Sequence, residues 1–325
     1  MTEAIPEKCP DWFADHIRHP FEHRTVTFAG CPIHYQLRHA NDKPHERPGL
    51  ILVHGNGAHS RWWDHIAPAF TDQFNVVALD LSGAGDSGHR DAYSPDLFAG
   101  EIGAVSSDAG LHKPILVGHS FGGTLARITT WLHPQKFSGL VLADSIISAN
   151  KGQRRNMPAP SGRTRYYASL QAAMLRFRLR PPQPCQNRFI LDHIARHSVH
   201  QTAQGWCFKA DQSLFAKLNS QAVNPDGEAT SSVEIKDIPD AVSIIKAIRV
   251  PVSLIYGDRS RFFDEAARRT AESLIHPDYL YPIKDAYHHL FLDQPVAFID
   301  TLQQVLERIL TRPTDRDDKS QEPPS

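Results

Sequence analysis

Short apolar runs recur along the chain, each closed by glycine, aspartate or a turn-forming residue. They are Gly49–His54 (GLILVH), Phe74–Leu79 (FNVVAL), Pro114–Gly118 (PILVG), Leu140–Ala143 (LVLA) and Val252–Tyr256 (VSLIY). An unbroken apolar run of about four to eight residues, with no polar alternation, predicts a strand buried on both faces. Arg24–Ala29 and Ile33–His39 predict an opening hairpin of two strands, and Asp278–Ile283 a last strand. Between these runs, stretches such as Phe121–Leu132 and Pro295–Leu310 carry helical spacing. Strands alternating with helices imply a parallel sheet covered on both faces.

The alternation breaks between about Ala149 and Ala247. No clear run of buried strands appears there, whereas Arg165–Leu179 and Arg188–His197 have amphipathic helical patterns. The expected organisation is an α/β core built from residues 20–148 and 248–311, with a helical insertion at 149–247 after the sixth strand. Such an insertion would sit over the C-terminal ends of the strands, where open parallel sheets bind ligands. Residues 312–325, polar and proline-containing, are expected to be a disordered tail.

Composition narrows the partners. The 325 residues carry a formal net charge of -1, which gives no overall steering toward nucleic acid or membrane. No run approaches the roughly 18 apolar residues of a membrane span, and the N-terminal stretch MTEAIPEKCPDWFADHIRHP has no apolar core of the secretory kind. A cytoplasmic location is expected. Cys9, Cys31, Cys185 and Cys207 are scattered and outside any CxxC or Cys/His spacing, so four reduced thiols are expected, with no metal site and no cofactor.

Gly118-His119-Ser120-Phe121-Gly122 matches G-x-S-x-G, directly after the apolar strand PILV and directly before an amphipathic helix. In so tight a strand–helix turn, glycine is needed on both sides of the nucleophile, and the serine is held in a strained conformation with its hydroxyl above the sheet. The plainer reading is a glycine-rich turn with an incidental serine; the flanks argue against it. A serine hydroxyl needs an adjacent base. Among nineteen histidines, His288 stands out because it follows the last strand and precedes the last helix, and the base comes last in chain order in this kind of fold.

With these motifs in place, the sequence resembles the α/β-hydrolase family over most of its length. VHGNG (Val53–Gly57) is similar to the family's turn after the third strand, DLSGAGDSG (Asp80–Gly88) to its turn after the fourth, GHSFGG (Gly118–Gly123) to its elbow, and HHLFLDQP (His288–Pro295) to its H-x-x-x-x-[DE]-x-P ending. The resemblance implies a mostly parallel eight-stranded sheet flanked by helices, with a helical cap after the sixth strand. It assigns the base to His288 and not to His289, for which a neighbouring cleft or surface position is expected. It also implies an oxyanion hole from the backbone N–H groups of Phe121 and Asn56, worth roughly 2.7–4 kcal/mol per donor in the transition state. The alternative for Asn56 is a helix cap.

The acid departs from the family pattern. The family usually takes it from G-x-x-D after the seventh strand, where this chain has Gly257-Asp258-Arg259-Ser260 and therefore a serine. Some members place the acid after the sixth strand, and here LVLA runs straight into Asp144, 24 residues beyond Ser120. That is the span of one helix and one strand, which returns the chain to the elbow. Asp144 is preferred to Asp258; a plain turn residue at a strand end is the alternative. The acid would accept a hydrogen bond from one imidazole nitrogen and leave the other free to take the serine proton.

From Lys151 to Lys209 the charged residues are Lys151, Arg154, Arg155, Arg163, Arg165, Arg176, Arg178, Arg180, Arg188, Arg196 and Lys209, against the single acid Asp192. They are either solvated arginines or a basic rim that attracts an anionic substrate. Trp206, Phe208 and Phe215 are expected to pack the insertion on the core or to wall an acyl pocket. The function this supports is hydrolysis of a carboxylic ester or thioester through an acyl-serine by Ser120, Asp144 and His288, with a small-molecule acyl substrate as partner. Cleavage of a carbon–carbon bond or lactone on the same triad, and a non-catalytic binding protein that retains the fold, are the alternatives. Epoxide hydrolases and haloalkane dehalogenases of the family attack with a carboxylate, which the serine in the elbow argues against.

Overall fold

The computed structural model describes residues 9–148, 164–218 and 238–311. The chain opens with helix α1 (Asp11–Arg18), followed by strands β1 (Glu22–Phe28), β2 (Cys31–Arg38), β3 (Gly49–Val53) and β4 (Asn75–Leu79). Helix α2 (Pro95–Asp108), strand β5 (Ile115–His119), helix α3 (Phe121–Leu132) and strand β6 (Gly139–Ala143) come next. After the inserted segment come β9 (Val252–Gly257), α8 (Glu265–Glu272), β10 (Leu280–Ile283), the single turn α9 (Leu290–Asp293) and α10 (Pro295–Thr311).

Eight strands form one sheet in the order β1-β2-β4-β3-β5-β6-β9-β10. β2 runs antiparallel to both β1 and β4, and every other pair is parallel. The expected hairpin, central strands and flanking helices are therefore all present. The four strands β3 to β6 are buried at every position, which is why they read as continuous apolar runs. Successive side chains leave a strand on opposite faces. Leu50, Leu52, Val76, Ala78, Val117 and Val141 pack with Phe298 and Leu302 of α10, while Ile51, Val53, Val77, Leu79 and Leu116 pack with Phe98 and Ile102 of α2. Each large side chain buried in this way contributes about 1.5–3 kcal/mol relative to exposure.

β6 and β9 are direct neighbours in register, so the segment between them leaves the sheet and returns beside its point of departure. Its described elements are α4 (Leu170–Met174), α5 (Arg188–His197), β7 (Val199–Thr202), β8 (Gly205–Phe208), α6 (Leu214–Lys217) and α7 (Ala241–Ala247). The insertion is thus not wholly helical: β7 and β8 form an antiparallel hairpin, and Tyr167 bridges to Trp206. These four-residue strands are mostly half-exposed, so they lack the apolar run that announces a buried strand. The helix expected over Arg165–Leu179 is one short turn, while α5 has the expected bounds, with Ile190, Ile194 and Ala195 on its buried side. Lys151, Arg154, Arg155, Arg163 and the expected tail at 312–325 lie outside the described residues. Among the described residues, no helix is long and apolar enough to cross a membrane. All four cysteines are free, Cys31 and Cys207 buried and Cys9 and Cys185 half-buried.

Candidate active site

Ser120 stands between the last residue of β5 and the first of α3, at φ 54°, a left-handed conformation that costs a non-glycine residue strain. Its backbone is over-determined. Its N–H donates to the Ala143 carbonyl at 3.0 Å, and its own carbonyl accepts from Ser145 Oγ at 2.9 Å and from Thr124 N at 3.1 Å. The flanking glycines are sterically required. A Cβ on Gly118 would lie 2.6 Å from Gly122 O, and one on Gly122 would lie 2.3 Å from His54 O.

Three elements distant in sequence then converge. His288, in the turn between β10 and α9, places Nε2 2.9 Å from Ser120 Oγ and Nδ1 2.7 Å from Asp144 Oδ1. An ionised carboxylate only accepts, so Nδ1 carries the proton and Nε2 presents its lone pair to the serine hydroxyl. Burial pushes His288 down to about 3, which keeps the imidazole neutral at physiological pH. Asp144 follows β6 directly, is 1% exposed and has φ 46°. Its Oδ1 also accepts from Ser260 Oγ at 2.6 Å and its Oδ2 from Gly257 N at 3.0 Å. Burial pushes the carboxyl up, and these two donors hold it back. Asp258, the other candidate acid, is exposed in the turn after β9.

Phe121 begins α3, so its N–H lies outside the i→i−4 ladder of the helix. Asn56 follows His54-Gly55 in the turn after β3. Both border a small cleft that Leu81, Phe98 and Leu214 of the inserted segment also line. His54 accepts from Leu81 N through Nε2 at 3.1 Å and joins the turns after β3 and β4. Phe215 packs edge-on against Phe121, so part of the expected aromatic contact between insertion and core is present beside the nucleophile. Phe208 contacts Tyr167 within the insertion. Arg165, Arg176, Arg178, Arg180, Arg188 and Arg196 are exposed, and Lys209 pairs with Asp86.

Several neighbours were not legible in the sequence. His119 donates from Nε2 to the His288 carbonyl at 3.0 Å, bracing the elbow against the loop that carries the base. His289 is buried rather than at the surface. Its N–H donates to Gln183 Oε1 at 2.9 Å, and Gln183 Nε2 donates in turn to both oxygens of Asp293 at 2.8 Å, so the insertion grips that loop directly. Ser260 carried a signal in its place at the family's acid position; Gln183 carried none. Ring nitrogens of His119, His288 and His289 lie within 4.8 Å of one another, a spacing that suits a metal, although both nitrogens of His288 are already engaged.

Against known proteins, a family model described as "alpha/beta hydrolase fold" matches residues 48–295. Mouse "Epoxide hydrolase 4" is 29% identical over 133 residues, 40% of this chain and 34% of the mouse protein, so the match spans about a third of that relative. Human "(Lyso)-N-acylphosphatidylethanolamine lipase" is 25% identical over 296 residues, covering 81% of this chain and 80% of the human one. Among solved structures, the "Thioesterase Domain From Curacin Biosynthetic Pathway" superposes with a TM-score of 0.66 at 21% identity, over 87% of this chain and 99% of that one. By its family match and its sheet, this chain belongs to the alpha/beta hydrolase fold family.

Proposed function

We propose that the protein is a serine hydrolase that cleaves a carboxylic ester or thioester through an acyl-serine intermediate. The observation that carries this reading is the continuous relay from Ser120 Oγ to His288 Nε2 and from His288 Nδ1 to Asp144. Ser120 attacks the substrate carbonyl as His288 takes its proton. The N–H groups of Asn56 and Phe121 stabilise the oxyanion, and the imidazolium, held by Asp144, protonates the leaving group. Water deprotonated by His288 then releases the acid and regenerates Ser120. The inserted segment acts as a cap, supplying Leu214 to the cleft and leaving its exposed arginines to draw an anionic substrate. A cap, a lipase relative and a thioesterase-like fold agree with an acyl substrate. The hydroxyl at the elbow speaks against carboxylate attack on an epoxide.

Activity on a panel of p-nitrophenyl esters and acyl-CoA thioesters, together with fluorophosphonate labelling, tests the reading. Wild type should label at Ser120, and Ser120→Ala should not label and should lose turnover by about 10⁴ or more while staying folded. Asp144→Asn should lose up to about 10⁴ in kcat, and Asp258→Asn no more than a few-fold. Retention of more than a few per cent of activity by Ser120→Ala would end the proposal, and absence of labelling would favour a binding protein.

A further inference from the structure

Resting on the triad reading above, we infer that Ser260 is a positioning residue of the catalytic relay, a hydroxyl that holds the Asp144 carboxylate in the orientation from which it serves His288. The loop after β9 sends two donors at that carboxylate and no acid. Gly257 N–H reaches Oδ2 at 3.0 Å, and Ser260 O–H reaches Oδ1 at 2.6 Å. Oδ1 is the oxygen that also accepts from His288 Nδ1 at 2.7 Å, so hydroxyl and imidazole share one acceptor.

The hydroxyl is itself oriented. Its oxygen accepts from Phe262 N at 3.2 Å, and its backbone N–H closes a turn on Gly257 O at 3.1 Å. With that lone pair committed, its one proton is directed to Asp144. Ser260 is 6% exposed, which leaves little water to replace it. The loop is also coupled to the base, because the Phe262 ring packs 4.3 Å from the His288 ring. Asp144 sits at positive φ immediately after its strand, with a short side chain that swings about one bond, so two donors on separate oxygens fix its plane. When the acid comes from β6 instead of β9, the vacated position thus becomes the clamp that aims it.

The catalytic pair carries Asp144 ionised and His288 neutral. Ser260 stabilises that state through the carboxylate, relative to the form in which Asp144 takes up the next proton. Ser260→Ala should lower kcat by about 10- to 100-fold with KM little changed. It should also move the acid limb of the kcat/KM profile upward by about one pH unit. Ser260→Thr, which keeps the hydroxyl, should recover most of the loss. In an Asp144→Asn background, Ser260→Ala should add nothing, since no carboxylate remains to aim. A purely structural role predicts instead a lowered Tm, an unmoved acid limb and an additive double variant, and any of the last two would overturn the inference. If Ser120→Ala remains active, the triad reading itself fails. An inactive Ser120→Ala together with an unshifted, fully active Ser260→Ala fails this inference alone.

Discussion

The sheet and the segment inserted between β6 and β9 are held by different physics. The central strands bury every side chain in apolar contact on both faces, an interaction without direction that tolerates small changes of shape. The insertion adds Leu179, Ile190 and Ile194 to that core, with Phe177, Phe189 and Leu191 packed against it, and its seam with the rest of the molecule also carries a buried polar network. Asp64 is the hub: Arg38 Nη2 reaches it at 2.9 Å, Arg61 Nε at 2.8 Å and His193 Nε2 of α5 at 2.8 Å. Around it, Arg61 meets His197 at 3.1 Å, His59 Nε2 donates to Ser198 Oγ at 2.9 Å, and Gln183 clamps Asp293. Directional contacts of this kind constrain the orientation of the insertion more than apolar packing does.

Breaking the hub is the largest test of that contrast. Asp64 is 1% exposed and answers two guanidinium groups, so Asp64→Asn leaves buried cations without a counter-charge. Removing one partner from a buried ion pair costs about 3–5 kcal/mol. In the sheet, Ile51→Val should cost only about 0.5–1.5 kcal/mol. Urea denaturation of both variants checks the pair. Equal costs would mean that the seam is held by its apolar contacts, as the sheet is.

The same difference decides what the sequence revealed. A strand buried on both faces must be written almost wholly in apolar residues, so β3 to β6 and β9 were legible within a residue or two, and tight turns made of glycine placed Ser120. The seam is written in Arg61, Asp64, His193 and Gln183, which in sequence look like any solvated polar residues, and the β7–β8 hairpin is too short and too exposed to show alternation. The candidate site divides along the same line. Motif and order single out Ser120 and His288 as candidates, whereas the choice of Asp144 over Asp258 rested on a serine where the family has an acid. The structure gives that serine a partner, but the hydrogen bond itself leaves no mark in the spacing.

Acid should loosen the seam before the sheet. Ser198 Oγ donates to the Ile194 carbonyl, so it accepts from His59, whose Nε2 carries the proton. Burial pushes His59 down to about 4 from an ordinary value near 6.5, and burial together with the neighbouring Arg61 pushes His197 down. Between pH 6.5 and about 4, a detached insertion binds a proton at His59 that the docked form refuses. The stabilisation is therefore complete above pH 6.5 and is lost as pH falls toward 4, at up to about 1.4 kcal/mol per pH unit. Limited proteolysis within residues 164–218 should accelerate over that window while far-UV circular dichroism holds. A nicking rate independent of pH, once corrected for the protease, would remove histidine from the account.

The smallest expected effect concerns the outer surface of the insertion, where Arg165, Arg176, Arg178, Arg180, Arg188 and Arg196 are exposed and Asp192 is the nearest acid in sequence. A field from solvated charges reaches about 30 Å at 0.01 M ionic strength and about 3 Å at 1 M. If these arginines steer an anionic acyl substrate, kcat/KM for an anionic ester should fall by up to about tenfold as salt is raised, and that for a neutral isostere should hardly move. Within the cleft the charges are paired: Asp211 borders it and is answered by Lys217 at 3.0 Å. The arginines would then act on encounter and not on the bound state, and Arg176→Gln with Arg178→Gln should flatten the salt dependence while leaving kcat unchanged. Equal salt responses for the two esters would reduce the basic surface to solvated side chains and leave the insertion's part in function to the seam and to Leu214.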